Sequence, residues 1–536
     1  MKSLSKHIIF VFATILLTSN CARKGRPNGG LKDSLAPVMV IANPPYKSVD
    51  FKSKKIKFLF DEYITLQKLN EQLIISPPLK NTPEISPQGY PSKEITIKIS
   101  DTLKNNTTYI FNFGNSIKDN NEGNVLNGFN YIFSTGKYVD SLKVTGLVKD
   151  AFQQKVNKDV RVLLYKIDGA FTDSIIYKKK PNYIANTIDS LYQITNIKAG
   201  KYLIIALKDV SNNNLFNPKE DKIGFHNRFI EVPKDSVLNS PLSLFKEVPS
   251  FRIISAKEIS KGKIMFGFEG DNSNIKIEIL SDTPSTFKSE SVLDSQKDSV
   301  YFWHSAIQKD SLIFKIKKDN YETQKTVFLR SNIVDSLKVN SNITSVLDLK
   351  DTLTLTTNNP INSIDTSKIL FLDTDSLDVN YQVELKKATN KIHFLFDKKE
   401  LSSYKLTILP KALTDIFKTQ NDTLKYRFRT KEREDYGSIS FELKKAPSVN
   451  VFIELISEND DTVLQKINVS QLKSVKFEML PPGKYIVRAI IDSNNNNKWD
   501  GGNYLKKKQP ETVIYHPTIF NIRANWALPS EIFEIN

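Results

Sequence analysis

Hard oxygen donors recur at alternate positions after two strand-like segments of this 536-residue chain. Asp209, Ser211, Asn213, Leu215, Asn217 and Glu220 stand at positions 1, 3, 5, 7, 9 and 12 of a loop of the kind that wraps Ca2+. In such a loop position 7 offers only its carbonyl, and position 12 supplies a bidentate carboxylate. A second run, Asp492, Asn494, Asn496, Lys498 and Asp500, fills positions 1 to 9, but Asn503 at position 12 has no carboxylate to give. Asn214 and Asn497 replace the usual glycine, and asparagine tolerates the left-handed backbone needed there. The same spacing also describes an Asx-rich hairpin whose side chains bond their own backbone. That second reading is preferred, because strands and not helices flank both runs. Ca2+ is the one cofactor the sequence raises.

No catalytic constellation accompanies these loops. His226, His304, His393 and His516 are isolated along the chain, with no second histidine at metal-ligand spacing, and read as surface or strand histidines. No Gly-x-Ser-x-Gly elbow or phosphate-cradling glycine loop occurs. Asp61 and Glu62 are neighbours on a strand-like segment, so their side chains point to opposite faces and cannot flank one bond. Loop carboxylates gathered by folding leave one alternative, an envelope hydrolase acting on glycan or peptide. Lysine and arginine number 76 against 59 acidic residues, a net charge of +17. The lysines are scattered along strand-like segments such as Lys55-Ile56-Lys57-Phe58, where they solvate outer faces and discourage edge pairing. No segment concentrates arginine with stacking aromatics, so nucleic acid is not an expected partner. Anionic head groups or acidic glycans fit the basic balance better.

The N-terminus has an address of its own. Lys2 and Lys6 precede an apolar run, Ile8–Leu17, too short to span a bilayer, which reads as a signal peptide over residues 1–20. Leu17-Thr18-Ser19-Asn20-Cys21 resembles a bacterial lipobox, with Asn20 departing from the usual glycine or alanine. Cys21 is the only cysteine, so the chain has no internal disulfide, and an incidental thiol at this place would be a coincidence. Cys21 is expected to carry lipid and to hold the protein at the outer membrane. The alternative is an ordinary secretory leader.

With no disulfide to help, apolar cores must hold every module. Period-two alternation dominates: Ile56, Phe58 and Phe60; Ile95, Ile97 and Ile99; Ile275, Ile277 and Ile279. Polar turn clusters separate these short runs at β-sandwich spacing. An outer-membrane barrel would not carry lysine and glutamate on its outward faces. Two internal repeats organise the chain. Gly200-Lys201-Tyr202 through Asp209 matches Gly483-Lys484-Tyr485 through Asp492, 283 residues on, and Tyr109 with Phe133-Ser134-Thr135 matches Tyr404 with Phe428-Arg429-Thr430, 295 residues on. The expected fold class is all-β, tandem sandwiches in an A-B-X-A-B order: residues 21–35 as linker, A over 36–137 and 345–432, B over 142–240 and 436–536, and X over 245–340.

The A segments resemble the SbsA-type bacterial Ig-like domains of envelope proteins, on Tyr109-Ile110-Phe111-Asn112-Phe113, the turn Asp119-Asn120-Asn121-Glu122-Gly123-Asn124 and the closing Phe133-Ser134-Thr135-Gly136. The second copy keeps Tyr404 and Asp415 but closes on Phe428-Arg429-Thr430-Lys431, without the glycine. The B segments resemble transthyretin-like or Cna-B-like modules, on Val144–Asp150, Val160–Tyr165, Gly200-Lys201-Tyr202 and Pro481-Pro482-Gly483-Lys484-Tyr485. The whole is similar to Ig-like-domain lipoproteins of the Bacteroidetes. That resemblance implies a non-catalytic structural, adhesive or scaffolding role, as an accessory subunit of outer-membrane assembly, secretion or glycan-uptake machinery. Its partners would be envelope proteins or surface glycans. The basic run Ala22-Arg23-Lys24-Gly25-Arg26 after the cysteine points to the periplasmic face. An extended row of modules is expected, with Tyr301, Phe302 and Trp303 of X presenting an aromatic contact patch.

Overall fold

A computed structural model describes residues 33–155, 157–294, 296–445, 450–471 and 473–535; Cys21 and the expected leader over residues 1–20 lie outside them. Almost every element is a strand, and the one α-helix among the described residues is the four-residue Leu69–Gln72. No helix among them is long and apolar enough to cross a membrane. The chain divides into two compact units, residues 1–141 and 142–536.

In the first unit, alternation produces two facing sheets. Lys55–Leu66 lies between Met39–Asn43 and Ser92–Lys98, and Glu84–Ser86 extends that sheet. Thr108–Asn112 pairs with Ile74–Ser76 and Asn130–Ser134 in the other. The register sets Ile56 opposite Ile97 and Phe58 opposite Ile95, so both alternating runs drive their apolar faces into one core with Phe111, Phe113, Tyr131 and Phe133. The conspicuous turn residues are structural. The Tyr109 hydroxyl accepts the Lys104 N–H at 2.9 Å, and the Asp119 carboxylate accepts the N–H groups of Asn121, Glu122 and Asn124 at 2.6–2.7 Å. The Thr135 hydroxyl donates to the Lys104 carbonyl and accepts from Thr107.

Among the described residues of the second unit, four cores stand out. Strands 142–150, 161–166, 183–188, 191–197, 200–208, 222–225, 230–232 and 237–244 surround the first, and strands 437–445, 451–457, 463–468, 474–480, 483–491, 513–515, 520–522 and 531–535 surround the last. These two sets share most of their pairings, except that Tyr183–Ile188 also pairs with Leu191–Ile197 and joins the first set into one sheet, whereas Val463–Asn468 and Ser474–Leu480 lie in separate sheets. Gly200–Lys208 takes Arg161–Lys166 on one edge and Lys222–Phe225 with Ile230–Val232 on the other, as Gly483–Ile491 takes Val451–Ser457 on one and Val513–Tyr515 with Phe520–Ile522 on the other. In each set the last strand joins the first in parallel: Val237–Leu244 beside Leu142–Asp150, and Glu531–Ile535 beside Gly437–Lys445. The Gly-Lys-Tyr motif serves the fold, since the Tyr202 hydroxyl donates to the Lys198 carbonyl at 2.9 Å and the Tyr485 hydroxyl to that of Pro481 at 2.5 Å.

Between them, residues 252–328 form two small sheets around Phe266, Phe302 and Phe314, and residues 339–430 form two four-stranded sheets and the two-stranded pair Ile361–Ile364 with Leu413–Asp415 around Phe371, Leu406 and Phe428. Here Tyr404 accepts the Lys399 N–H and Thr430 accepts from Ser402 while donating to the Lys399 carbonyl, so the closing turn forms without the glycine.

Two expectations are corrected here. The aromatic patch on X does not form: Phe302 is core, Trp303 is 2 % exposed, Tyr301 is half-buried, and Lys263 lies over the rings of Tyr301 and Trp303 at 5.2 Å. The outer face is covered because X packs on the segment that follows it, through Gly262 against Phe417, Lys288 on Asn362 and Glu290 on Lys387. Nor is the second unit an extended row of modules, because its first and last strand sets bond directly to each other, as described next.

Candidate functional site

Both Asx loops follow the last residues of a central strand, where the chain must turn out of the sheet. Asn214 and Asn497 adopt the left-handed conformation at φ 60° and 56°, as the spacing predicts. In the first loop Asp209 receives the Asn214 N–H at 2.6 Å, and Asn213 receives that of Leu215 at 2.7 Å. The positive charge beside Asp209 comes from the chain itself. Arg161 Nη1 lies 3.5 Å from the carboxylate and donates to the Asn214 carbonyl oxygen of the side chain at 2.9 Å. The carboxylate that closes this loop is Asp221, fully buried, which accepts the Val210 and Asn217 N–H groups at 2.9 and 2.8 Å; Glu220 is exposed. Burial pushes the Asp221 carboxyl above its ordinary value, with Asp209 and Glu220 adding repulsion.

The second loop closes by the same means. Asp492 accepts the Asn496 and Asn497 N–H groups at 3.1 and 2.7 Å, and Asp500 accepts the side-chain amides of Asn494 and Asn496 at 2.5 and 3.2 Å. Glu511, which the spacing did not single out, takes the Ser493 N–H, the Ser493 hydroxyl and the Asp500 N–H at 2.6–3.0 Å. The donors of Ser211 and Asn217 likewise stay local, the one bonding Asp209 and the other receiving Lys219. Among the described residues no cluster of three His, Cys, Asp or Glu is disposed to hold a metal. Such a donor set, already neutralised by Arg161 and by backbone amides, suits an Asx turn better than a hard cation. Ca2+ at 100 times its dissociation constant would stabilise the fold by about 2.7 kcal/mol. The expected result is no saturable heat and no such stabilisation on titration with millimolar Ca2+; heat abolished by Asp209→Ala with Glu220→Ala would restore the calcium reading.

Of the histidines, His304 and His393 sit on strands, whereas His516 is buried against Phe441, Phe520 and Phe533, a core position rather than a surface one.

What the second loop does is seat residues 499–515 on the first strand set. Trp499 packs on Phe152 at 4.7 Å, and Tyr504, fully buried, stands edge-on to Phe225 at 5.2 Å. Gly502 lets the backbone approach this closely: a Cβ there would lie 2.5 Å from the Phe245 ring and 2.6 Å from the Lys508 carbonyl. Glu247 accepts the Tyr504 N–H at 2.6 Å, Lys507 pairs with Asp173 at 2.5 Å, and Gln509 donates to the Phe225 carbonyl at 3.0 Å. Beside them Arg488, paired with Glu454 at 2.6 Å, lays its guanidinium 4.0 Å over Phe152 and donates to Tyr515, whose hydroxyl donates to the Phe152 carbonyl at 2.7 Å. The seam is thus an aromatic contact rimmed by ion pairs. Arg161, Asp221 and Glu511 are the residues sequence reasoning missed, although Asp221 stands directly after the Glu220 it chose.

Residues 33–135 match the model of the bacterial Ig-like domain. No curated protein matches the chain. Among solved structures, domains 1–6 of the surface layer protein SbsC are 12 % identical, over 90 % of this chain and 67 % of that one, at a TM-score of 0.13. The BcpA major pilin subunit of Bacillus cereus is 8 % identical, over 73 % and 99 %, at 0.14, and the TIE protein of Bacillus anthracis 11 %, over 95 % and 76 %, also at 0.14.

Proposed function

We propose that this all-β chain, with an Ig-like domain at residues 33–135, is a non-catalytic structural or adhesive component of the cell envelope, held to the outer membrane by lipid on Cys21. What supports the reading is the use made of its polar side chains: the loop carboxylates Asp209, Asp221, Asp492 and Glu511 are engaged by arginine or by the amides of their own turns. Such a molecule works by presenting surfaces, with the strand sets as rigid supports, and suits an accessory role in outer-membrane assembly, secretion or glycan uptake. The partner is an envelope protein or a surface glycan, met on the periplasmic side.

The test is made in cells. Labelling with a clickable fatty acid should mark the wild-type chain and be lost in Cys21→Ser, which should also leave the outer-membrane fraction. Chemical cross-linking of intact cells should recover an envelope protein joined to residues 33–535. An unlabelled wild type ends the lipid reading, and purified protein that turns over a glycan or a peptide replaces the scaffold with a hydrolase.

A further inference from the structure

A cleft of about 640 Å³ opens between residues 349–400 and 433–527, its walls including Lys350, Phe396, Lys398, Tyr436, Met479 and Trp526. That volume falls within the range of small-ligand sites, roughly 300–1,000 Å³. Its most exposed aromatic is held in place. Trp526 is 45 % exposed, yet its carbonyl accepts the Ser438 N–H at 3.0 Å, and Asn525 and Leu528 on either side bond Tyr436 and Ser438 at 3.0 and 2.9 Å. Gly437 makes the approach possible, since a Cβ there would fall 2.6 Å from the Arg523 carbonyl and 2.8 Å from that of Trp526. Arg523 covers the indole at 5.2 Å. An exposed tryptophan fixed this way is a platform rather than a loose surface residue.

Two further features point to a ligand. Met479 takes a left-handed conformation, φ 55°, where the pairing of Gly437–Lys445 with Ser474–Leu480 slips. A long side chain pays for that conformation only where the fold insists on it, and strain of this kind gathers at binding sites. Lys398 is half-buried and meets the Phe396 ring at 5.6 Å, with no carboxylate among the described residues within ion-pair distance. Burial pulls its pKa down, against the attraction of Asp351 and Asp397. Glu400 is engaged by Arg433 at 3.0 Å and Glu478 by Lys476 at 2.5 Å, so the wall's unpaired charges are Lys350, Lys398 and Asp397, with cations in excess.

We propose that this cleft binds a glycan containing uronic acid, one pyranose face on Trp526 and a sugar carboxylate on Lys398. Sugars join apolar C–H faces to hydroxyls that both donate and accept, and the site offers the indole beside the Asp397 carboxylate, the Ser438 hydroxyl and the Asn525 amide. An acidic peptide would look for a free sheet edge, but Lys391–Phe396 and Gly437–Lys445 are each paired on both sides. The inference rests on the binding role proposed above and names its ligand class.

Titration calorimetry of the full chain carrying Cys21→Ser, against tetragalacturonate, its methyl ester and cellotetraose, tests it. Tetragalacturonate should bind, the ester and cellotetraose about tenfold or more weakly. Trp526→Ala and Lys398→Ala should each weaken tetragalacturonate about tenfold with melting unchanged, and Lys398→Arg should retain most of the affinity. No binding at millimolar sugar, equal binding of cellotetraose, or indifference to both alanine variants would overturn it while leaving the Cys21 anchor and any cross-linked partner standing. Release of new reducing ends from tetragalacturonate would instead uphold the cleft and overturn the non-catalytic reading.

Discussion

Tyr504→Ala is expected to destabilise the second unit by about 3–5 kcal/mol, the usual cost of emptying a buried aromatic site. The side chain is wholly enclosed between Phe225 and the 499–511 segment, and its backbone N–H is held by Glu247. The neighbouring Gly502 leaves the chain too close to Phe245 for easy collapse around the hole. Burial also keeps the Tyr504 phenol far above its ordinary pKa, so it stays neutral across the working range. Tyr504→Phe keeps the ring and should cost much less. The readout is the urea midpoint of the full chain together with limited proteolysis between residues 499 and 511. An alanine variant within about 1 kcal/mol of wild type would mean that the seam contributes little, against the range expected for a buried aromatic.

Glu454→Ala should cost a similar amount for a different reason. Arg488 and Glu454 side chains are 9 % and 10 % exposed, paired at 2.6 Å, and removal of the carboxylate strands a guanidinium over Phe152. Breaking one half of a buried pair typically costs about 3–5 kcal/mol, whereas replacing both halves by apolar groups of similar volume is often neutral. Denaturation of Glu454→Ala, Arg488→Met and Glu454→Leu with Arg488→Met therefore makes a diagnostic set. The double replacement should recover most of the loss. If it is as unstable as Glu454→Ala, the pair owes its worth to the Tyr515 and Phe152 bonds rather than to charge compensation.

Period-two alternation carried the strands and much of the core. Ile56, Phe58, Phe60, Ile95, Ile97 and Ile99 are all buried, because in a two-sheet sandwich the face a side chain takes follows directly from its parity. Ile275, Ile277 and Ile279 are only half-buried: Ile277 and Ile279 lie on the outermost strand of a small sheet, and Ile275 precedes it. The Gly-Lys-Tyr repeat was legible because a tyrosine bonding a carbonyl four residues back leaves a local trace. The seam was not legible. Residues 498–511 carry Lys498, Lys506, Lys507 and Lys508, and no periodic apolar pattern around Trp499 and Tyr504 marks them as a contact surface. Trp303 was misassigned for a related reason: alternation tells which residues share a face, but only the packing of X against residues 362, 387 and 417 decides that both faces are covered. The spacing singled out Asp209 and Asp492, but not Arg161, which reaches Asp209 from a distant strand and which no local spacing reveals.

The parallel pairing of first and last strands has a mechanical consequence. In a parallel pair the beginning of one strand and the end of the other lie at opposite ends of the ladder. Tension entering at Gly437 and leaving at Ile535 therefore pulls Gly437–Lys445 and Glu531–Ile535 past one another along their length, loading the hydrogen bonds between them together instead of peeling them singly. Leu142–Asp150 and Val237–Leu244 are arranged alike. Each strand set is built to bear longitudinal shear, the load met by a tether.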